Sequence, residues 1–169
     1  ANGTGVTQPV VDYRELGLSA CEQRSRQFSL GNAGAGCGAV AGELKGGTGS
    51  ASLFDPQNDY TVGALAVVNS AGSPVMPGSS VFWAWPFEQQ NELGGQLPPK
   101  HPENLEPHFP RNLGPAAHTT LVAVATDAPL TSNQTKRLAI MAQDGLARAL
   151  RPVHAPQDGD TVFALSTTG

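Results

Sequence analysis

The sequence predicts a mixed α/β (α+β) domain, and three observations predict it. Thr131-Ser132-Asn133-Gln134 has the T-x-x-Q form of a capping box and opens a helical apolar face. Ser50 to Phe54 and Tyr60 to Asn69 are strand-like runs on either side of the turn-rich Asp55-Pro56-Gln57-Asn58-Asp59. His118-Thr119-Thr120 then places hydroxyl residues directly before the buried-type strand Leu121-Val122-Ala123-Val124-Ala125. A chain of 169 residues is about one domain and is long enough to bury a core. A charged fraction of 14% with 20 glycines and 14 prolines points to close-packed backbone and long loops, not to a helical bundle or to disorder.

Charge and composition exclude several function classes. Lys and Arg number 10 against 14 Asp and Glu, a net charge of −4 with no basic cluster, which argues against a nucleic-acid partner. No run of about 18 apolar residues could span a bilayer, so no membrane role is expected. The start shows no basic, apolar and small-residue signal, and a cytoplasmic location is the expectation; Ala1 is not an initiator Met, which leaves room for an upstream segment. Cys21 and Cys37 lie sixteen positions apart with no CxxC and no companion histidines, so they read as free, partly buried thiols and not as a zinc site. No metal and no cofactor are expected.

In chain order, Val11, Leu16, Leu18 and Cys21 recur at rough helical intervals and predict a helix within residues 10–26. Gly31-Asn-Ala-Gly-Ala-Gly-Cys-Gly-Ala-Val-Ala-Gly is a run of small residues that requires a close backbone approach. Gly36, Gly38 and Ala41 satisfy GxGxx(G/A), but three glycines within Gly46-Gly47-Thr48-Gly49 deny the run the helix that a dinucleotide fingerprint needs. The strand from Tyr60 is apolar on both faces toward its end and is expected to be central and covered on both sides. Asn69 closes it, either capping the following turn or pointing into a site.

Residues 73–117 are the least regular part. The cluster Phe82-Trp83-Ala84-Trp85-Pro86-Phe87 argues for order in the first third, as core packing, an oligomer contact or a pocket wall, and His101 and His108 read as solvated loop residues. The helix from Thr131 carries Leu138, Met141, Leu146 and Leu150 and ends before Pro152, with Arg148 and Arg151 suited to its C-terminal dipole. Asp158-Gly159-Asp160 precedes a last strand, Thr161 to Thr167; taken alone it reads as a hairpin turn, with a carboxylate pair that holds a neighbouring group as the rival reading. The hydroxyls of Thr119 and Thr120 are likewise either strand caps or nucleophiles. A threonine serves as a nucleophile only with a base beside it, and its own amino group is one such base once the preceding peptide bond is cut.

Five blocks in this order resemble the L-aminopeptidase/D-esterase family of self-cleaving hydrolases: Gly31-Asn-Ala-Gly-Ala-Gly-Cys-Gly-Ala, Leu44-Lys45-Gly46-Gly47-Thr48-Gly49, Val62-Gly-Ala-Leu-Ala-Val-Val-Asn69, Ala125-Thr126-Asp127-Ala128-Pro129-Leu130 and Asp158-Gly-Asp-Thr-Val-Phe-Ala-Leu-Ser-Thr. Phe82-Trp83-Ala84-Trp85-Pro86-Phe87-Glu88 and Thr119-Thr120 are similar to its nylon-oligomer (6-aminohexanoate oligomer) endohydrolase branch. The resemblance implies an αββα sandwich of the N-terminal-nucleophile type, incomplete in a chain that looks like an internal piece of a longer protein. It also implies a precursor that cuts itself between His118 and Thr119, giving 1–118 as the end of an α subunit and 119–169 as the start of a β subunit. On the matching motifs, Thr119 is the nucleophile, with Thr120 as the rival. Asn69 donates to the oxyanion, Lys45 acts through its charge, and Asp158 and Asp160 orient Thr119 or its ammonium. The expected partners are a small amide or peptide-like substrate, the other cleaved subunit and further copies in a homo-oligomer. The implied activity is amide hydrolysis on nylon oligomers, ahead of an aminopeptidase, D-amino-acid esterase or β-aminopeptidase activity. Acyl transfer of the ornithine-acetyltransferase type and a non-catalytic fragment are the alternatives.

Overall fold

A computed structural model describes residues 11–101, 105–106 and 118–168. Helix α1 spans Tyr13–Glu22, two residue pairs form the small hairpin β1 (Val40–Ala41) and β2 (Leu44–Lys45), and the main sheet contains β3 (Gly47–Asp55), β4 (Tyr60–Asn69), β5 (Thr119–Thr126) and β6 (Thr161–Ser166). Helix α2, Ser132–Ala149, crosses from β5 to β6. The sheet order is β3-β4-β5-β6, with β3, β4 and β5 antiparallel in turn and β6 parallel to β5.

Most of the expected elements form. The capping box is complete: the Thr131 hydroxyl accepts from Gln134 N, and Gln134 Oε1 accepts from Thr131 N at 2.9 Å. The Asp55–Asp59 turn joins β3 to β4 as a hairpin, with Asp55 accepting from Gln57 N and Asn58 Nδ2. The Asn58 amide, then the Gln57 N–H, hold the Asp55 carboxyl below the usual carboxylate range. Helix α1 is shorter than residues 10–26, capped by Asp12, and has no buried residue; Val10 and His108 lie outside the described residues.

The core sits between α2 and one face of the sheet. Val122 and Val124 of β5 meet Leu146 and Leu150, with Ala64, Ala66 and Val68 of β4, Val162 of β6 and Leu138 of α2 packed around them. The alternation of β5 explains this: Thr120, Val122, Val124 and Thr126 are buried while Leu121 is exposed. The opposite face carries Phe54, Leu65, Leu121, Phe163 and Leu165, all exposed. Among the described residues, the expectation that β4 is covered on both faces is therefore met on one face only, and they form half of an αββα sandwich: one helical layer and one sheet.

Three further expectations change. The Asp158-Gly159-Asp160 segment is not a hairpin turn, because β6 has no antiparallel neighbour among the described residues; it is the end of a crossover that returns through α2 to run parallel to β5. Cys21 and Cys37 are free as expected, but both are exposed. Trp83 is buried, with Arg151 4.2 Å from its ring centroid, while Phe87 is exposed under Arg148. Arg151 thus ties the aromatic loop to the end of α2, helped by a backbone bridge to Ser73. Among the described residues no helix is long and apolar enough to cross a membrane.

Truncating Leu150 (3% exposed) to Ala is expected to destabilise the fold by about 2–5 kcal/mol, whereas Ile140→Ala, on a residue 50% exposed, stays within about 0.5 kcal/mol. Denaturant unfolding of the two variants checks the difference.

Candidate active site around Thr119

The ladder between β4 and β5 brings the two ends of the candidate site together, pairing Asn69, the last residue of β4, with Thr119, the first of β5. Strand alternation then separates the two hydroxyls. Thr120 is 0% exposed, its hydroxyl lies on the helix side of the sheet, and it has no hydrogen-bond partner among the described residues. The Thr119 side chain points to the other face and is half-buried, and its Oγ1 donates to the carbonyl oxygen of His118 at 2.6 Å. The hydroxyl therefore lies against the peptide bond that precedes it.

Asn69 is tied to the small hairpin. Its Oδ1 accepts from Val40 N at 2.9 Å, and Val40 is the strand partner of Lys45. Its amide oxygen thus reaches a strand 29 residues away. Lys45 is exposed, and its link to Thr119 is indirect: Lys45 pairs with Val40, Val40 N donates to Asn69, and Asn69 pairs with Thr119.

The small-residue run explains how the hairpin approaches so closely. Gly31 bridges Thr48 of β3, and a Cβ on Gly36 would stand 2.6 Å from Gly31 O and Thr48 N. A Cβ on Gly46 would stand 2.1 Å from Val68 O, next to Asn69. The run packs backbone on backbone, as expected, and it ends in β1 and not in a helix.

The two aspartates bind backbone. Asp158 accepts from Ala71 N and Ala155 N, each at 3.0 Å, and bridges His118 in parallel. Asp160 accepts from Thr120 N at 2.8 Å on one oxygen, and its other oxygen meets His154 Nδ1 at 2.8 Å and His154 N at 3.3 Å. They fix the strand end on which Thr119 stands, and the Thr119 hydroxyl bonds to the carbonyl behind it. Between them, Gly159 N donates to His118 O at 2.9 Å. An open cavity of about 340 Å3 is lined by Gln143, His154, Asp158 and Asp160.

Sequence reasoning named Lys45, Asn69, Thr119, Asp158 and Asp160 but missed His154, Gly159 and the Ala71 N–H. Nothing in the spacing from His154 to Asp160 marks a pair, and a backbone donor carries no residue-type signal. Only the glycine between the two aspartates was visible, and it was read as a turn.

The model of peptidase family S58 matches residues 6–169. The chain belongs to peptidase family S58. An uncharacterized aminopeptidase of Mycobacterium tuberculosis (strain ATCC 25618 / H37Rv) is 41% identical over 163 residues, 95% of this chain and 46% of that protein. A 6-aminohexanoate-oligomer endohydrolase of Kocuria sp. is 27% identical over 149 residues, 83% of this chain and 40% of that protein. The chain thus spans less than half the length of these relatives. Among solved structures, the PH0078 protein of Pyrococcus horikoshii OT3 superposes with a TM-score of 0.62 at 30% identity, over 92% of this chain and 37% of that one. The L-aminopeptidase D-Ala-esterase/amidase of Ochrobactrum anthropi, described as a variant of the Ntn hydrolase fold, superposes with a TM-score of 0.53 at 28% identity, over 85% of this chain and 34% of that one. The α+β layers described above are a portion of that fold.

Removing the Asp160 carboxylate leaves the Thr120 N–H without its acceptor beside a fully buried side chain. Asp160→Ala is expected to cost about 1–3 kcal/mol, with Asp160→Asn, which keeps an amide oxygen, costing less; thermal or urea unfolding of both variants measures it.

Proposed function

We propose that this chain carries the centre of an N-terminal-nucleophile amide hydrolase, with the Thr119 hydroxyl as nucleophile after cleavage of the bond between His118 and Thr119. One observation carries the reading: the Thr119 Oγ1 lies 2.6 Å from the carbonyl oxygen of His118. Membership of a peptidase family supports it. Thr120 is the poorer candidate, because its hydroxyl is sealed on the helix side of the sheet.

The chemistry follows from one residue in two roles. Once its amide becomes an amine, Thr119 holds both a hydroxyl and a base, since an α-amino group titrates near ~7.7–8.0 and is partly neutral at working pH. The amine takes the hydroxyl proton as the oxygen attacks the substrate carbonyl. Asn69, at the strand position facing Thr119, is proposed to donate from its amide NH2 to the oxyanion, a role in which losing one donor costs roughly 10²–10³ in rate. Lys45 adds positive charge from the hairpin tied to Asn69. Asp158 and Asp160 position Thr119 by fixing the backbone around it. Cleavage divides the chain into residues 1–118 and 119–169, held together by the β4–β5 ladder.

For the substrate, the 41% identity to a protein named as an aminopeptidase favours removal of an N-terminal residue from a small peptide or amide. Nylon-oligomer hydrolysis is the second reading, favoured by the paired aspartates 158 and 160 and by the 27% identity to an endohydrolase of 6-aminohexanoate oligomers. Assembly into a homo-oligomer belongs to the same proposal.

Mass spectrometry of the full-length protein is expected to find a fragment that begins at Thr119. Thr119→Ala should leave the chain whole, and Thr120→Ala should still be cut. A single uncut species from the unsubstituted protein, or an N-terminus at Thr120, sinks this assignment. Assays of the cut enzyme on amino-acid amides, a linear 6-aminohexanoate oligomer and N-acetylornithine then separate the aminopeptidase, nylon-oligomer and acyl-transfer readings.

The amine is active only when deprotonated. The rate kcat/KM is therefore expected to rise with pH through about 7.7–8.0 and to level off above it; a pH–rate profile with no rise in that range removes the amine as base.

A further inference from the structure

We infer that the backbone N–H of Gly159 is the oxyanion donor for the self-cleavage step, and that position 159 is a glycine to leave room for the attacking hydroxyl. The inference rests on the reading of Thr119 as the nucleophile and extends it to a group outside the five site residues.

Three observations converge on one carbonyl. The oxygen of His118 accepts from Gly159 N at 2.9 Å and from Thr119 Oγ1 at 2.6 Å. The bond to be broken thus already carries a donor on its oxygen, at the distance that stabilises charge developing there. The donor is held in place from both sides. Asp158 is anchored to Ala71 N and Ala155 N, and Asp160 to Thr120 N and His154 Nδ1, so the peptide between the two carboxylates has little freedom to move away.

An ordinary parallel ladder between β5 and β6 would also supply an N–H to His118 O, and by itself that bond says nothing about chemistry. The bare Cα is the separate observation. Gly159 is not among the glycines with positive φ, so backbone conformation does not demand glycine there. What a side chain would meet is the nucleophile: a Cβ on Gly159 would stand 2.8 Å from Thr119 Oγ1 and 3.7 Å from Thr119 Cγ2. Space beside the hydroxyl is what the glycine provides.

The step balances within the chain. Thr119 Oγ forms a bond to the carbonyl carbon of His118, and negative charge collects on the His118 oxygen facing the Gly159 N–H. The bond from that carbon to the Thr119 nitrogen then breaks, and the hydroxyl proton ends on that nitrogen as it becomes an amine. The product is an ester of His118 on Thr119, which water cleaves to a His118 carboxylate and a free Thr119 hydroxyl. Asp158 and Asp160 are positioning residues in this step, because they touch the backbone and not the reacting atoms.

The test replaces Gly159 of the full-length protein by glycolic acid through in vitro translation, which exchanges the N–H for an ester oxygen and adds no bulk. Self-cleavage is followed by mass spectrometry. The expected result is cleavage slower by roughly 10²–10³, with a melting temperature within a few degrees of the uncut Thr119→Ala protein. Cleavage within about threefold of the unsubstituted rate overturns the inference. If the ester unfolds the chain, Gly159→Ala decides: it keeps the N–H but sets a methyl against Oγ1, and is expected to slow cleavage at least tenfold, whereas cleavage at the parent rate overturns the inference. Failure of the unsubstituted protein to cut itself refutes the nucleophile reading instead, so the two failures are distinguishable.

Discussion

The register of β5 against β4 is the constraint on which the rest of the structure depends. Side chains in a strand alternate, so a slip of one residue would exchange every buried position for an exposed one. In the register present, Val122 and Val124 close on α2, Thr120 is sealed beneath the sheet, and Thr119 stands on the open side opposite Asn69. The far end of the ladder holds this choice in place. Thr126 Oγ1 donates to Thr61 O, and Asp127 Oδ1 accepts from Thr61 N at 2.7 Å. The Ala-Thr-Asp-Ala block, at the opposite end of the strand, thereby fixes which of two adjacent threonines faces the open side.

A second theme is that the carboxylates serve the backbone. Asp127 holds β4, Asp158 joins the exit of β4 to the end of the crossover, and Asp160 takes the place of a ladder acceptor for Thr120. Each satisfies N–H groups at a strand end, where regular pairing runs out. Hydrogen bonds from N–H groups to an ionised acceptor are shorter and stronger than neutral ones, which suits strand ends that have no regular pairing to hold them. The glycines do the complementary work. Gly36, Gly46 and Gly159 stand where a methyl group would strike backbone or the Thr119 hydroxyl, so the centre is assembled from main chain held by acids and spaced by missing side chains.

Local structure was legible in the sequence where its cause is local. Thr131 and Gln134 announce α2, Asp55 to Asp59 announce the hairpin, and the apolar run from Leu121 announces β5. The block resemblance identified the family and named Lys45, Asn69, Thr119, Asp158 and Asp160. What could not be read was set by distant contacts. The parallel return of β6 depends on α2 folding back over the sheet, and a glycine between two aspartates looks the same in a hairpin turn as at the end of a crossover. The partners of Asp158 and Asp160 are N–H groups of Ala71, Ala155 and Thr120, which any residue but proline would offer. The open side of β4 was expected to be covered because its composition is apolar, and composition does not say which residues provide the cover.

That open side has a consequence for handling and for biogenesis. Phe54, Leu65, Leu121, Phe163 and Leu165 form an apolar sheet surface, and β3 at its margin is met on its outer edge, among the described residues, by Gly31 at Thr48, which leaves the rest of that edge open. Such a surface attracts any other apolar surface it meets, and unpaired strand edges add a template for stacking. An intermediate that has made only these layers is therefore adhesive, and its yield depends on concentration, on chaperones and on how quickly the face is buried. The hairpin of β3 with β4 is a short-range unit that can form early, whereas β5 and β6 pair only once α2 has folded back between them, so the apolar face of the hairpin is the one left waiting.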